Sequence, residues 1–219
     1  MRHVPTDKYT IAWFKLAECV ARGEKEKAYG VYRLLAHSLS DQAYAYQLEG
    51  DLLRSFEDAR SFEKYNHAAH LYYQDQRWLE VAGLCEHLKL LGALTQPQRT
   101  MMIEAHRKLG NIEYVAALLF ELAHEHLKLA HYELIQPLLE QAHVLIPASL
   151  FCTHTKHIIF TAIAANASPE PIKTWMNFLI DSLMLEHTSE LTLFMSELAA
   201  LSQSYHRMAQ TMMQSTLNT

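Results

Sequence analysis

The chain is predicted to be all-α and built from antiparallel helix pairs, and three features of its 219 residues support this prediction. Apolar residues recur at three- and four-residue spacing along nearly the whole chain, which is the period of an amphipathic helix. Glycine and proline number only six each, too few to supply the frequent turns of an antiparallel sheet. The breaks in the pattern are short, and helices joined by a few residues lie antiparallel to their neighbours.

These breaks divide the chain into about 11 predicted helices, whose ends are uncertain by a few residues. Gly23 follows an apolar helical run, at a position where glycine commonly ends a helix. Two helix starts are indicated by a capping side chain followed by a proline in the first turn. These are Thr95 with Pro97 and Ser168 with Pro169. The predicted helices are 7–22, 25–39, 41–57, 59–74, 76–91, 96–109, 111–128, 130–146, 150–165, 169–186 and 188–213.

Pro137 is the proline that falls inside a predicted helix, 130–146. In the second turn of a helix, a proline removes a backbone donor and kinks the chain. If the helix begins later than residue 130, Pro137 instead lies in its first turn, where it is tolerated. The sequence leaves both alternatives open.

Composition excludes several classes of protein. The net charge is −5 and the basic residues are scattered, so no basic stripe predicts a nucleic-acid partner. The most apolar stretch, residues 157–167, is far shorter than the ~20 residues of a membrane-spanning helix, and residues 1–7 lack the apolar core of a secretory signal. The three cysteines form no C-x-x-C pair, so we expect buried free thiols and a cytoplasmic location.

The strongest internal pattern lies between residues 62 and 95. Large and small residues share helix faces there, and the small ones let two helix backbones approach closely while the aromatic ones fill the gaps. The pattern consists of Tyr65, Ala68, Ala69 and Tyr72, followed by Trp78, Ala82, Cys85, Leu88 and Leu91. It resembles the tetratricopeptide repeat, a helix–turn–helix unit of about 34 residues.

Further, weaker copies surround this segment. A step of about 34 residues carries the pattern onto 96–129, although Arg99 stands in the place of Tyr65. A match at 119–147 is out of phase by about half a repeat, and 7–39 resembles another diverged copy. The resemblance implies a right-handed α-solenoid over residues 1–147, with 148–219 as C-terminal helices that cap the last repeat or pack on a partner.

In the resembled family, the first helices of successive repeats line a concave groove that binds extended peptides or helices. One subgroup clamps the carboxyl terminus of chaperone tails with lysine and asparagine, but Asn66 and His70 stand at those positions, so such a clamp is not expected. Glu63 and Lys108 share the groove face. The resemblance implies partner-binding positions at Asn66, His70, Tyr73, Thr100, Glu104 and Arg107.

The sequence gives little reason to predict an enzyme. It has no phosphate-binding loop, nucleophile elbow or H-E-x-x-H motif. The 14 histidines include pairs spaced by three residues, and two Glu-x-x-His pairs repeat a motif of di-iron helical bundles. These pairs are His67/His70, His154/His157, Glu121/His124 and Glu140/His143.

We therefore expect a non-enzymatic protein-binding scaffold that needs no cofactor. A first alternative is a small secretion-type chaperone for an exported protein, which the Met-rich residues after 148 would suit. Separately, the C-terminal helices are a candidate surface for a homodimer. A second alternative, motivated only by the histidines, is a metal-dependent helical-bundle enzyme.

Overall fold

The structure, a computed structural model, describes residues 7–184 and 187–217. Within these ranges it contains twelve α-helices, one short 3-10 helix and no strand, so the all-α prediction is confirmed. None of the described helices combines the length and apolar character needed to cross a bilayer. Residues 1–6, which bear on the predicted absence of a secretory signal, lie outside the described residues.

The helix bounds follow the predicted ones closely along most of the chain. In order they are α1 Asp7–Ala21, α2 Lys25–Ala36, α3 Gln42–Ser55, α4 Ser61–Gln74, α5 Trp78–Leu90, α6 Gln96–Lys108, α7 Ile112–Lys128, α8 Ile135–His143, α9 Ala148–Ala164, α10 Pro169–Leu183, α11 Thr188–Leu201 and α12 Gln203–Leu217. The 3-10 helix Tyr132–Leu134 precedes α8. For the predicted helix 169–186, positions 185 and 186 lie outside the described residues.

Two predicted helices differ from the structure. The prediction 188–213 is wrong as a single helix, because Ser202 has extended backbone angles, φ −157° and ψ 114°, that separate α11 from α12. The prediction 130–146 begins too early, since the α-helical part starts at Ile135. Pro137 therefore lies in the first turn of α8, where its missing N–H removes no intrahelical bond.

The chain divides into two compact units, Met1–Leu109 and Gly110–Thr219. In the first unit, α1 packs on α2, α3 on α4, α4 on α5 and α5 on α6, and α4 also contacts α6. In the second unit, α7 packs on α8 and α9, α9 packs on α10 and α11, and both α10 and α11 contact α12.

The core of the first unit contains the small and aromatic residues of the repeat pattern. Ala68 and Ala69 are both 0% exposed, as their place in the pattern predicts. Tyr65 and Tyr72 are also buried, and their hydroxyls donate to Asp51 Oδ1 and Gln47 Oε1 of α3, each at 2.8 Å. Hydrogen-bonded partners let these polar side chains be buried without a desolvation penalty.

The contact between α3 and α4 is close because of Gly50. A Cβ atom at this position would lie 2.6 Å from Cε1 of Tyr65. Since the Tyr65 hydroxyl is bonded to Asp51, the ring has little freedom to move away. Glycine is thus required at Gly50 by packing, not by backbone conformation.

The second unit has an aromatic core. Phe151, Trp175 and Phe194 are almost fully buried. The Phe160 and Phe194 rings stack with centroids 5.9 Å apart, which joins α9 to α11. Lys156 Nζ donates to both carboxylate oxygens of Glu197, at 3.1 and 2.8 Å, between the same two helices.

The cysteines Cys19, Cys85 and Cys152 are free and buried, as predicted. Burial raises the pKa of the Cys85 thiol to about 12. Cys85 is 0% exposed and contributes to the packed core.

Candidate partner-binding groove

In the first unit, α4 and α6 are joined by two side-chain hydrogen bonds. Gln98 Nε2 donates to Asn66 Oδ1 at 2.7 Å, and further along, the Tyr73 hydroxyl donates to the Glu104 carboxylate. Because the two bonds occur in the same order along both helices, α4 and α6 run in the same direction. The bonded side chains lie on the facing sides of the two helices.

Gln98 sets the start of α6. Its Oε1 accepts from the Thr95 backbone N at 2.8 Å and from Thr95 Oγ1 at 3.0 Å, which forms part of a capping box. Its amide nitrogen meanwhile reaches Asn66 on α4, and the side chain is 2% exposed. A single buried residue thus caps the first turn of α6 and holds that helix against α4.

An open groove of about 400 Å³ lies between these helices, and we call it the α4/α6 groove. It is lined by Glu63, Asn66, His67, His70, Pro97, Gln98 and Met101. Tyr73 and Glu104 meet one helical turn beyond His70 and Met101, so their hydrogen bond marks the end of the groove. The walls offer amide, imidazole and carboxylate groups together with the apolar surface of Pro97 and Met101.

The structure brings some of the six predicted partner-binding residues together. Asn66 and His70 line the groove, and Tyr73 and Glu104 bond to each other beside it. Thr100 and Arg107 are exposed on α6 outside the groove lining. Whether these six residues contact a partner stays a prediction.

The exposed polar groups of the groove already have some protein contacts. His70 Nε2 lies 3.0 Å from Gln74 Nε2, and His67 Nε2 lies 3.7 Å from Glu63 Oε1. Thr100 Oγ1 donates to the Gln96 carbonyl at 3.3 Å. All of these contacts are solvent-exposed, and such contacts exchange readily for contacts with a ligand.

Tyr73 is held more firmly than an ordinary surface tyrosine. Its ring packs edge-to-face on Trp78 with centroids 5.6 Å apart. The hydrogen bond to Glu104 raises the pKa of Tyr73, since it stabilises the protonated hydroxyl. A half-buried aromatic ring with a fixed orientation is a good interface anchor, because little side-chain freedom remains to be lost on binding.

The side chain of Arg77, just after α4, links the residue that caps α3 to the first turn of α5. Its Nη1 donates to Asp41 Oδ2 at 2.6 Å, and its Nε and Nη2 donate to Glu80 Oε1 at 3.0 and 2.8 Å. The guanidinium also lies 4.4 Å from the centroid of the Tyr72 ring. Burial opposes ionisation of Asp41, but hydrogen bonds from Tyr44 N and Arg77 outweigh it and lower the pKa of that carboxyl.

Four groove-lining residues were not among the predicted groove positions, namely His67, Pro97, Gln98 and Met101. The resemblance assigned binding positions by counting outward-facing places in a repeat, and position 98 is not one of those places. A signal for Gln98 was present, because Thr95-x-x-Gln98 is the spacing of a capping box. That it also reaches Asn66 depends on the distance between α4 and α6, which no local pattern reveals.

The predicted histidine pairs have neighbours other than metal ligands. Among residues 7–184 and 187–217, no group of three or more His, Cys, Asp or Glu side chains is arranged to hold a metal ion. His154 stacks on Phe120 with centroids 4.6 Å apart, and His157 packs edge-to-face on His124 at 5.0 Å. Burial lowers the pKa of both His124 and His154, and His157 lowers each further.

The Glu-x-x-His pairs also lie apart from any shared centre. Glu121 and Glu140 are exposed, whereas His143 packs edge-to-face on Phe151 at 4.9 Å and on Phe178 at 5.4 Å. A di-iron site requires both glutamates to project into the core beside the histidines. In both pairs the histidine packs against a neighbouring ring, whereas the glutamate is exposed.

No family model matches the chain, and a search of curated proteins found no significant match. A functional assignment therefore depends on the geometry of the α4/α6 groove and on the repeat pattern of residues 62–95.

Proposed function

We propose that the chain is a right-handed α-solenoid of the tetratricopeptide type and acts as a non-enzymatic, cytoplasmic scaffold that binds a peptide or helix of another protein. In this proposal, residues 1–147 form the repeats and 148–219 the C-terminal helices. The observation that carries it is the α4/α6 groove, open to solvent and about 400 Å³ in volume. Buried alanines at Ala68 and Ala69, together with contacts of α4 to both α5 and α6, support the repeat arrangement.

The groove suits a polypeptide ligand better than a small molecule. It is a shallow trough bounded by two helices, and an extended peptide can lie along such a trough with its side chains in successive hollows. Asn66 and His70 supply hydrogen-bonding groups along one wall, and Met101 supplies adaptable apolar surface on the other. Tyr73 is the proposed aromatic anchor at the end of the groove.

The proposal is tested by affinity purification from the native host, with bound proteins identified by mass spectrometry. The test variant is Tyr73→Ala with Arg107→Ala, and the control variant is Tyr44→Ala with Arg22→Ala, which removes the same residue types from α3 and the end of α1. We expect the test variant to lose at least one partner that the control variant retains. Retention of every partner by the test variant would remove the groove assignment.

A finer variant separates loss of contact from loss of structure. Tyr73→Phe keeps the ring on Trp78 but removes the hydroxyl that bonds to Glu104. If Tyr73 acts as an aromatic anchor, this variant retains the partner that Tyr73→Ala loses. Circular dichroism and thermal melting of each variant show whether the fold is intact.

A second candidate function, a small secretion-type chaperone, is favoured by a groove in the second unit. This groove has a volume of about 640 Å³ and lies between α10 and α12, with Met208 and Met212 among its lining residues. Flexible methionine surfaces accommodate many sequences, as binding of an unfolded exported segment requires. A homodimer through the C-terminal helices is an alternative use of the same surface.

The chaperone function is tested by co-expression with candidate exported proteins. A chaperone should raise the soluble fraction of its substrate, and Met208→Asp should abolish that gain because it replaces one of the two methionines of the lining with a charge. An unchanged soluble fraction across all candidates would reject this function and leave the α4/α6 groove proposal untouched.

A further inference from the structure

A second, smaller cavity of the first unit lies away from the α4/α6 groove. It has a volume of about 190 Å³ and is formed by one face of α2 together with the residue that precedes α4. Its lining residues are Lys25, Glu26, Tyr29, Gly30, Arg33 and Arg60, and we call it the basic pocket. It shares no lining residue with the α4/α6 groove.

Asp58 orients two of the three cations of the basic pocket. Lys25 Nζ donates to Asp58 Oδ2 at 2.8 Å, and Arg60 Nη2 donates to the same oxygen at 2.6 Å. Arg60 Nε also donates to Asp58 Oδ1 at 3.1 Å, so the guanidinium is held in a fixed plane. An ammonium has three N–H donors and a guanidinium has five, so both groups keep donors that Asp58 does not use.

Arg33 is the third cation. It is exposed, and within the part of the chain that the structure describes no carboxylate forms an ion pair with it. Burial raises the pKa of the neighbouring Tyr29 to about 12, Glu49 and Asp58 add to the rise, and Arg60 and Arg33 oppose it. Tyr29, Arg33 and Arg60 all line the same cavity.

The charge of the basic pocket is positive. Lys25, Arg33 and Arg60 are opposed by the carboxylate of Glu26 in the lining and by that of Asp58 alongside it. The nearby carboxylate of Glu49 is itself paired with Lys64 Nζ, at 3.2 Å. One positive charge therefore remains uncompensated, and it belongs to a planar guanidinium whose donors suit tetrahedral or carboxylate oxygens.

Gly30 leaves the floor of the basic pocket open. A glycine inside a helix is less stable than an alanine, and a packing requirement usually explains its presence. Here a Cβ atom would meet no heavy atom within 4 Å, so packing within the protein does not explain it. Because Gly30 lines the basic pocket, we expect an alanine methyl group there to take up part of the pocket volume.

We propose that the basic pocket binds a phosphoryl group, whose oxygens bridge Lys25, Arg33 and Arg60. The cations come from three separate positions, two along α2 and one before α4, and a phosphoryl group presents three oxygens in three directions. A carboxylate has only two oxygens in one plane and meets one guanidinium well, but not three separated cations. A volume of about 190 Å³ is large enough for a single phosphoryl group.

The test is isothermal titration calorimetry of the full chain with inorganic phosphate at pH 8, with ionic strength held constant by sodium chloride. We expect saturable binding that Arg33→Gln weakens about tenfold or more, since it removes a charge-assisted contact. Gly30→Ala should also lose binding, whereas its thermal midpoint should stay equal or rise.

Two matched variants control for general charge and for helix propensity. Lys27→Gln removes an exposed α2 cation that lies outside the basic pocket and pairs with Glu24 at 3.0 Å. Gly83→Ala changes a helical glycine of α5 that also has nothing within 4 Å of its missing Cβ. Both variants should bind phosphate as the unmodified chain does.

Titrations with phosphoserine and with a nucleoside monophosphate identify the source of the phosphoryl group. Tighter binding of phosphoserine than of phosphate indicates a phosphorylated protein, and tighter binding of the nucleoside monophosphate indicates a free nucleotide. Three results would overturn the proposal: no saturable phosphate binding, equal weakening by Lys27→Gln and Arg33→Gln, or acetate binding as tight as phosphate binding.

Discussion

At the scale of single residues, Gln98 shows how one side chain can position a site. It caps α6 through Thr95 and links α6 to α4 through Asn66 at 2.7 Å, while itself being buried. Buried polar atoms stabilise a fold only when all of them are bonded, and both ends of this amide are bonded.

We predict that Gln98→Ala lowers the free energy of unfolding by about 2 kcal/mol. Loss of the capping contact accounts for about half, and the polar groups of Thr95 and Asn66 left without their partner account for the rest. Urea denaturation followed by circular dichroism measures this change. Gln96→Ala, on an exposed side chain of the same turn, should change stability by less than about 0.5 kcal/mol, and an equal loss in both variants would contradict the assigned role.

A second prediction at this scale concerns His124 and His154, whose pKa values burial lowers from the ordinary 6.5. His157 lowers both further, and Lys128 lowers that of His124. The folded chain therefore binds protons less readily here than the unfolded chain. Above about pH 6.5 the two histidines are neutral in both states, and the free energy of unfolding keeps its full value. As the pH falls below about 6.5, the unfolded chain takes up protons first, and the free energy of unfolding decreases until the pH has passed the lowered pKa values.

Urea denaturation at pH 7.5 and pH 5.5 checks this linkage. The unmodified chain should be less stable at pH 5.5, and the double variant His124→Gln, His154→Gln should show a smaller difference between the two pH values. Equal pH dependence in both proteins would show that other groups cause the effect.

At the scale of helices, the pairing of α3 with α4 depends on one close approach. The Tyr65 ring packs where a Cβ of residue 50 would lie, at 2.6 Å from Cε1. Its hydroxyl is anchored on Asp51, so the ring cannot turn aside without breaking a hydrogen bond.

We predict that Gly50→Ala destabilises the fold by about 2–3 kcal/mol, because overpacking forces α3 and α4 apart. Thermal or urea denaturation measures the loss. Gly83→Ala is the matched control, since its Cβ would meet nothing within 4 Å, and it should stabilise the fold by about 0.5–1 kcal/mol. A stabilising effect of Gly50→Ala would mean that the two helices are not packed as described.

The helices also show what local patterns can and cannot reveal. Most helix ends were predictable because a breaker or a capping residue marks them, as Gly23 and Thr95 do. The break at Ser202 was not, since apolar spacing continues across it and serine is only a weak helix breaker. The need for glycine at Gly50 was hidden as well, because it depends on where the Tyr65 ring of α4 lies against α3.

At the scale of the whole molecule, the spacing of apolar residues was enough to predict the fold class. It was not enough to predict every residue of the candidate site. The resemblance of residues 62–95 to a repeat pointed to the polar faces of α4 and α6, and Asn66 and His70 do line a groove there. Hydrogen bonds between the helices, which decide where the groove ends and which groups stay accessible, arise from three-dimensional spacing. The part that His67, Pro97, Gln98 and Met101 play in the groove lining therefore became visible only in the structure.

The central claim is that the α4/α6 groove contacts a protein partner, and site-specific photo-cross-linking tests it most directly. A photoreactive residue at His70, in the groove, is compared with one at Leu90, which is 85% exposed on α5 outside it. The account predicts discrete partner adducts from position 70 and none from position 90, with the adducts lost in the Tyr73→Ala, Arg107→Ala background. Adducts of equal yield at both positions, or a partner that co-purifies yet never cross-links at position 70, would contradict it.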